Sequence, residues 1–145
     1  MQEPALTLLR RAGARVLVNA MDLEDAKHHL GGSFEFMGVA VRAKEIERRR
    51  PEMVALAAAL GDALKALRAM SGDQLSGAFP KEMTTGLDLR EFGEIIAAHR
   101  NSLYPETVAI DLESAKRVQQ TLVAGGLIKP DASISGLHDT SIVGG

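Results

Sequence analysis

Apolar positions recur every three or four residues along much of the chain, and that period predicts helices. Over residues 51–70, Met53, Leu56, Ala57, Leu60, Leu64 and Leu67 fall on one stripe, and Ala55, Ala58 and Ala59 add helix propensity. Pro4 suits a first helical turn, with Ala5, Leu6, Leu8, Leu9 and Ala12 forming an apolar side that Gly13 can stop. Ser71 and Gln74 have capping-box spacing ahead of a short helix over 72–77, which Pro80 ends. Asp88 can cap a further helix with Glu91 at its third position. There Leu87 can staple onto Phe92, and Phe92, Ile95, Ile96, His99 and Leu103 share a face that Pro105 closes. Asp111 opens the last helix, which points Leu112, Ala115, Val118, Leu122 and Val123 inward and stops at Gly125 and Gly126.

Two short stretches break this period. Residues 15–19 are rich in branched apolar side chains between turn formers and read as a strand. Residues 34–41 alternate weakly, then become apolar on both faces, which predicts a strand covered from above and below. Residues 21–30 read as a loop with a helical turn ending at Gly31 and Gly32, and 127–145 as loop with a turn near 135–139. The pattern predicts a helix-rich α/β fold of about five helices and two or three strands.

With 145 residues the chain amounts to about one domain. Its 46% apolar and 25% charged content is that of a folded globular protein. A net charge of −2, four Phe, one Tyr and no Trp disfavour nucleic-acid binding. The absence of cysteine excludes thiolate catalysis, Cys-ligated zinc and disulfides. The amino-terminal residues lack the basic-then-apolar order of a secretory signal, and no apolar run reaches membrane-spanning length.

Several motifs, taken in order, resemble one family. Glu3-Pro4 precedes a helix and the run Gly13 to Val18, and Gly31-Gly32 precedes 34–41. Glu45-Ile46 leads through Arg50-Pro51-Glu52 into an alanine-rich helix. Tyr104-Pro105, Ile110 to Glu113, Leu122 to Ile128 and Asp139 to Val143 follow. The set resembles the nitrate/sulfonate/taurine and thiamine-pyrimidine-precursor group of ABC-importer solute-binding proteins. The resemblance implies two α/β lobes with a small anionic or heterocyclic solute bound between them, an ABC permease as partner, and a periplasmic location for the full-length protein. Residues 1–145 would be a single carboxy-terminal portion of that two-lobe fold. Within it 1–30 would end the second lobe, 31–42 would be a crossing strand, and 43–145 would be helices that pack on the first lobe. Material preceding Glu3 would supply most of the first lobe, so this portion is not expected to hold ligand alone. Fungal relatives that synthesise the thiamine pyrimidine carry a cysteine-rich motif absent here, which counts against an enzyme.

The resemblance places tentative ligand-binding positions at Glu3, Ser33 and Phe34, and a hinge at Gly31 and Gly32. Each has a plainer reading: Glu3 as an acid at a helix start, Gly31 to Ser33 as an ordinary turn, Phe34 and Phe36 as core. His28 and His29 are adjacent and point apart, so no metal site is expected, and no nucleophile elbow or other catalytic set assembles. No cofactor is expected. Arg42, Lys44 and Arg48 to Arg50 form a basic run, as do Arg10, Arg11 and Arg15. Interleaved Glu45, Glu47 and Glu52 make the first a solvated face. The alternative function is a self-associating helical interaction module with no transport role. It rests on the two-sided segment 34–41, which has few partners within the chain and predicts a homo-oligomer. Leaving about 400 Å² uncovered would forgo on the order of 10 kcal/mol.

Overall fold

Local capping chemistry sets several of the helix starts. In the computed structural model, which describes residues 5–34, 37–86 and 88–143, the chain forms helices separated by turns and irregular chain. They are α1 (Ala5–Arg11), α2 (Leu23–Leu30), α3 (Ala43–Ile46), α4 (Arg50–Ala69), α5 (Gly72–Ala78), α6 (Lys81–Thr84), α7 (Leu89–Ala98), α8 (Arg100–Leu103) and α9 (Leu112–Ala124). Ser71 and Gln74 complete a reciprocal capping box: the Gln74 amide donates to Ser71 Oγ at 3.2 Å, and the Ser71 amide donates to Gln74 Oε1 at 2.8 Å. Asp22, Asp88 and Asp111 accept from first-turn amides of α2, α7 and α9. Pro51 sits in the first turn of α4, where its missing N–H costs nothing.

The expected α/β fold is corrected: no strand occurs among the described residues. A strand exists only where a second extended segment takes its backbone hydrogen bonds. Residues 15–19 and 37–41 find no such neighbour and run as irregular chain. Met37, Val39 and Val41 are 83%, 63% and 48% exposed, so the two-sided apolar segment meets solvent rather than covering layers. Glu35 and Phe36, within the same expected strand, lie outside the described residues, as does Leu87 of the expected staple.

Other differences are smaller. Residues 21–30, expected as loop with a helical turn, hold the longer capped helix α2, because Asp22 supplies an acceptor to the amides of Glu24 and Asp25. The helix expected to run from Asp88 to Leu103 divides at His99, where the backbone leaves helical geometry, into α7 and α8. Leu112, expected inward, is exposed, whereas Ala115 is buried.

Helix-on-helix packing concentrates in one pair, α5 against α7. Two glycines permit it. A Cβ on Gly93 would stand 2.3 Å from the Gly72 carbonyl oxygen, and one on Gly72 would stand 2.9 Å from that of Gly93. Around this crossing Leu75 is fully buried, Ile96 is buried, and Phe79 meets Phe92 edge-on with ring centroids 5.2 Å apart. Two arginines then join α4 to α8 reciprocally. Arg100 donates to the carbonyls of Arg68 and Met70 at the end of α4, and Arg68 donates to the Tyr104 carbonyl at 2.7 Å. Cations on helix-end carbonyls satisfy both the open acceptors and the dipole.

Beyond that pair the chain is thinly covered. Ala26, Leu75, Ile96 and Ala115 are the buried apolar residues among those described. The accessible surface is 10642 Å² for 15.5 kDa. A compact monomer of that mass exposes about 7,200 Å².

Candidate functional site

The expected site residues gather where the end of α2 meets the start of α9. Gly31 closes α2 with φ 80°, and Gly32 follows at φ 142°, a pair of left-handed conformations that glycine adopts without strain. The Arg117 guanidinium lies over this turn: a Cβ on Gly32 would stand 3.0 Å from Arg117 Cζ. Arg117 Nε donates to the Ser33 carbonyl at 2.8 Å, and its Nη2 donates to Ser114 Oγ at 2.8 Å. Nη2 also lies 3.6 Å from Asp111 Oδ2.

Ser114, 2% exposed, is the centre of the cluster. Its hydroxyl donates to Asp111 Oδ2 at 2.5 Å. Having spent its one proton there, it accepts from Ser33 Oγ at 2.9 Å and from Arg117, which fills the capacity of a hydroxyl. The hydrogen bond from Ser114 leads the causes that hold the Asp111 carboxyl below the ordinary carboxylate range, with backbone amides and Arg117 adding to it. An aspartate so stabilised as an anion is a poor proton acceptor, and Ser114 has no free lone pair to pass a proton along. The chain from Ser33 through Ser114 to Asp111 therefore works as a clasp that pins residues 31–33 to α9.

Of the expected ligand and hinge positions, Gly31, Gly32 and Ser33 come together in this clasp, and Phe34 lies beside it, half-buried. Glu3 lies outside the described residues. Sequence reading gave Asp111 only as the cap of the last helix and passed over Ser114 and Arg117. Their spacing of three along α9 places them on one helix face, and that signal marks one half of the cluster. Nothing local in the sequence ties that face to residues more than 75 positions earlier.

Two open grooves flank His99. One of about 560 Å³ runs between α1 and α7, lined by Arg10, Arg11, Arg90, Glu91 and Glu94, with Arg11 paired to Glu91. The other, about 370 Å³, passes over Asp22, Leu23, Asn101 and Ser102, and shares Ala98 and His99 with the first. The first mixes both charge signs; the second carries two acids, Glu24 and Asp22, the latter already accepting from the amides that open α2. The arginine run pairs within its own neighbourhood as expected: Arg48 with Glu45, Arg49 with Glu52, and Arg50 with Glu47 at 2.7 Å. Arg50 reaches on to Ser141 Oγ at 3.2 Å. His28 and His29 meet edge-on, and among the described residues no three His, Asp or Glu side chains are grouped to hold a metal. No helix among the described residues is long and apolar enough to cross a membrane. Compared with protein-family models, with curated proteins and with solved structures, the chain matches none.

Proposed function

We propose that the chain is a self-associating helical interaction module, acting through the surface it presents to a second copy rather than through catalysis. One observation carries this reading. The accessible surface of 10642 Å² exceeds that of a compact monomer of the same mass by about 3,400 Å². Much of the uncovered area is apolar, from Leu17 and Met37 through Val54, Leu56 and Leu60 to Leu127. Apolar surface left in water forgoes about 25 cal/mol per Å², and a second chain that covers it recovers that free energy. The clasp around Ser114 supports the same reading, since it fixes the turn after α2 without leaving a free reactive group. Sedimentation at tens of micromolar is expected to show an oligomer; a clean monomer would defeat the proposal.

A second reading, as the solute-binding component of an ABC importer for a small anionic solute or a pyrimidine, has its own observation. Segment 37–41 is apolar and uncovered, as a segment crossing between lobes would be without the lobe it joins, and it follows glycines at φ 80° and 142°. An ABC permease and a periplasmic location belong to that reading. The lack of a sheet among the described residues weighs against it and places it second. A thermal-shift series with nitrate, taurine and the thiamine pyrimidine tests it: a binder raises the melting temperature, and a flat series rejects this reading.

A further inference from the structure

We infer that the second copy docks on α4, in an antiparallel pair related by a two-fold axis; this rests on the self-association reading above. α4 is the longest helix described, 20 residues or roughly 30 Å, and it has no buried residue. Its nearest helix neighbour is the single turn α3 that leads into it. Met53, Leu56, Leu60, Ala63 and Leu67, continued by Met70 at the helix end, are spaced three, four, three, four and three apart. They form one narrow ridge of the kind that pairs helices, with Leu56 46% and Leu60 39% exposed at its middle.

The spacing reads the same in both directions. Turned about an axis crossing the helix between Gly61 and Asp62, the ridge meets itself in register: Leu56 against Leu67 of the second copy, Met53 against Met70, and Leu60 against Ala63. The last contact sets a large side chain against a small one, which lets the helices close up. Self-matching of one patch is what a two-fold dimer requires.

Charge is compatible with the antiparallel arrangement, the arginines of 48–50 being paired with glutamates of their own chain. No charged side chain occurs from Met53 to Gly61, so the first half of the ridge carries no like-charge conflict. Parallel pairing would set the Arg48, Arg49 and Arg50 runs of two copies side by side. Antiparallel pairing places them about a helix length apart, well beyond the ~8 Å screening distance at physiological salt. A standard dimer covers ~800 Å² on each chain, about a quarter of the excess surface that this chain exposes over its whole length.

The test uses the full chain. Sedimentation equilibrium is run on the unaltered protein, on Leu56→Glu and Leu60→Glu, and on Leu137→Glu, which alters an exposed leucine outside the α4 ridge. The expected result is a dimer that each α4 variant weakens at least a hundredfold with helical circular dichroism retained, while Leu137→Glu leaves it unchanged. A monomeric unaltered protein overturns the self-association reading together with this interface. Dimeric Leu56→Glu and Leu60→Glu overturn the interface and leave that reading standing. Because the chain has no cysteine, a second experiment reads the register without charged substitutions. Oxidising an equal mixture of Leu56→Cys and Leu67→Cys chains is expected to trap mixed dimers, because those positions face each other. Cross-links confined to like chains, or none, overturn the antiparallel pairing.

Discussion

Replacing Gly93 with alanine tests whether the α5–α7 crossing holds the described core. The added methyl would stand 2.3 Å from the Gly72 carbonyl oxygen and 2.7 Å from its carbon, both backbone atoms that no side-chain rotation can move aside. To reach an ordinary separation of about 3.4 Å, α5 must retreat by roughly 1 Å, and a gap of that size forfeits up to half of each affected dispersion contact. The contacts at stake surround fully buried Leu75, buried Ile96 and the Phe79–Phe92 edge-on pair. Overpacking of this kind costs about 1–3 kcal/mol, and backbone as the neighbour puts Gly93→Ala at the upper end. Alanine is favoured over glycine inside a helix by about 1 kcal/mol, which offsets part of it. The net expectation is a loss of about 2 kcal/mol, or a melting temperature roughly 4–8 °C lower. Gly61→Ala in α4 is the matched control, since a Cβ there meets nothing within 4 Å. It should keep the propensity gain and stabilise by about 0.5–1 kcal/mol. Both variants are compared by calorimetry at one protein concentration. A Gly93→Ala chain that melts no lower than the unaltered protein would refute the close crossing.

Further expectations follow from the same contacts. Ser71→Ala removes the oxygen that holds the Gln74 amide and unmakes the capping box, so urea denaturation should show a loss of about 1 kcal/mol. In Arg100→Lys a single ammonium replaces the fork that reaches the Arg68 and Met70 carbonyls together; a loss of about 1–2 kcal/mol is expected, and an unchanged urea midpoint would argue against the α4–α8 tie. Asp111 has a folded pKa below its unfolded value of about 3.9, so the stability it contributes is complete above that value. It is lost as pH falls through the folded pKa. Asp111→Asn keeps a capping oxygen but cannot titrate. It should be less stable near neutral pH and lose less than the parent chain as pH drops below about 4, measured by urea unfolding across pH.

The clasp around Ser114 and the reciprocal arginines share a design: each uses a charged or hydroxyl group to fasten one helix end to a distant segment, where a larger core would use apolar packing. Arg117 reaches back to Ser33, and Arg68 and Arg100 bind each other's helix ends. Such ties orient the helices while leaving the apolar ridge of α4 half-exposed or exposed, the surface that the proposed second copy would cover.

Where helices begin could be read from neighbouring residues. Ser71 with Gln74, Asp88 with Glu91, Asp111 ahead of Leu112 and Pro51 in a first turn each act within a few positions, so their amides find the same partners whatever the rest of the chain does. The pairing of each arginine in 48–50 with a glutamate three positions away was legible for the same reason. Segments 15–19 and 37–41 were not, because branched apolar residues favour a strand only when another extended segment lies alongside, and that condition is non-local. The turn at Gly31 and Gly32 was visible as glycine; its fastening to Asp111, Ser114 and Arg117 was not, since those atoms meet only once the turn after α2 lies against the start of α9. The approach of Gly93 to Gly72 belongs to the same class: the absence of two Cβ atoms is written in the chain, but their use as a helix crossing is decided by which faces come together.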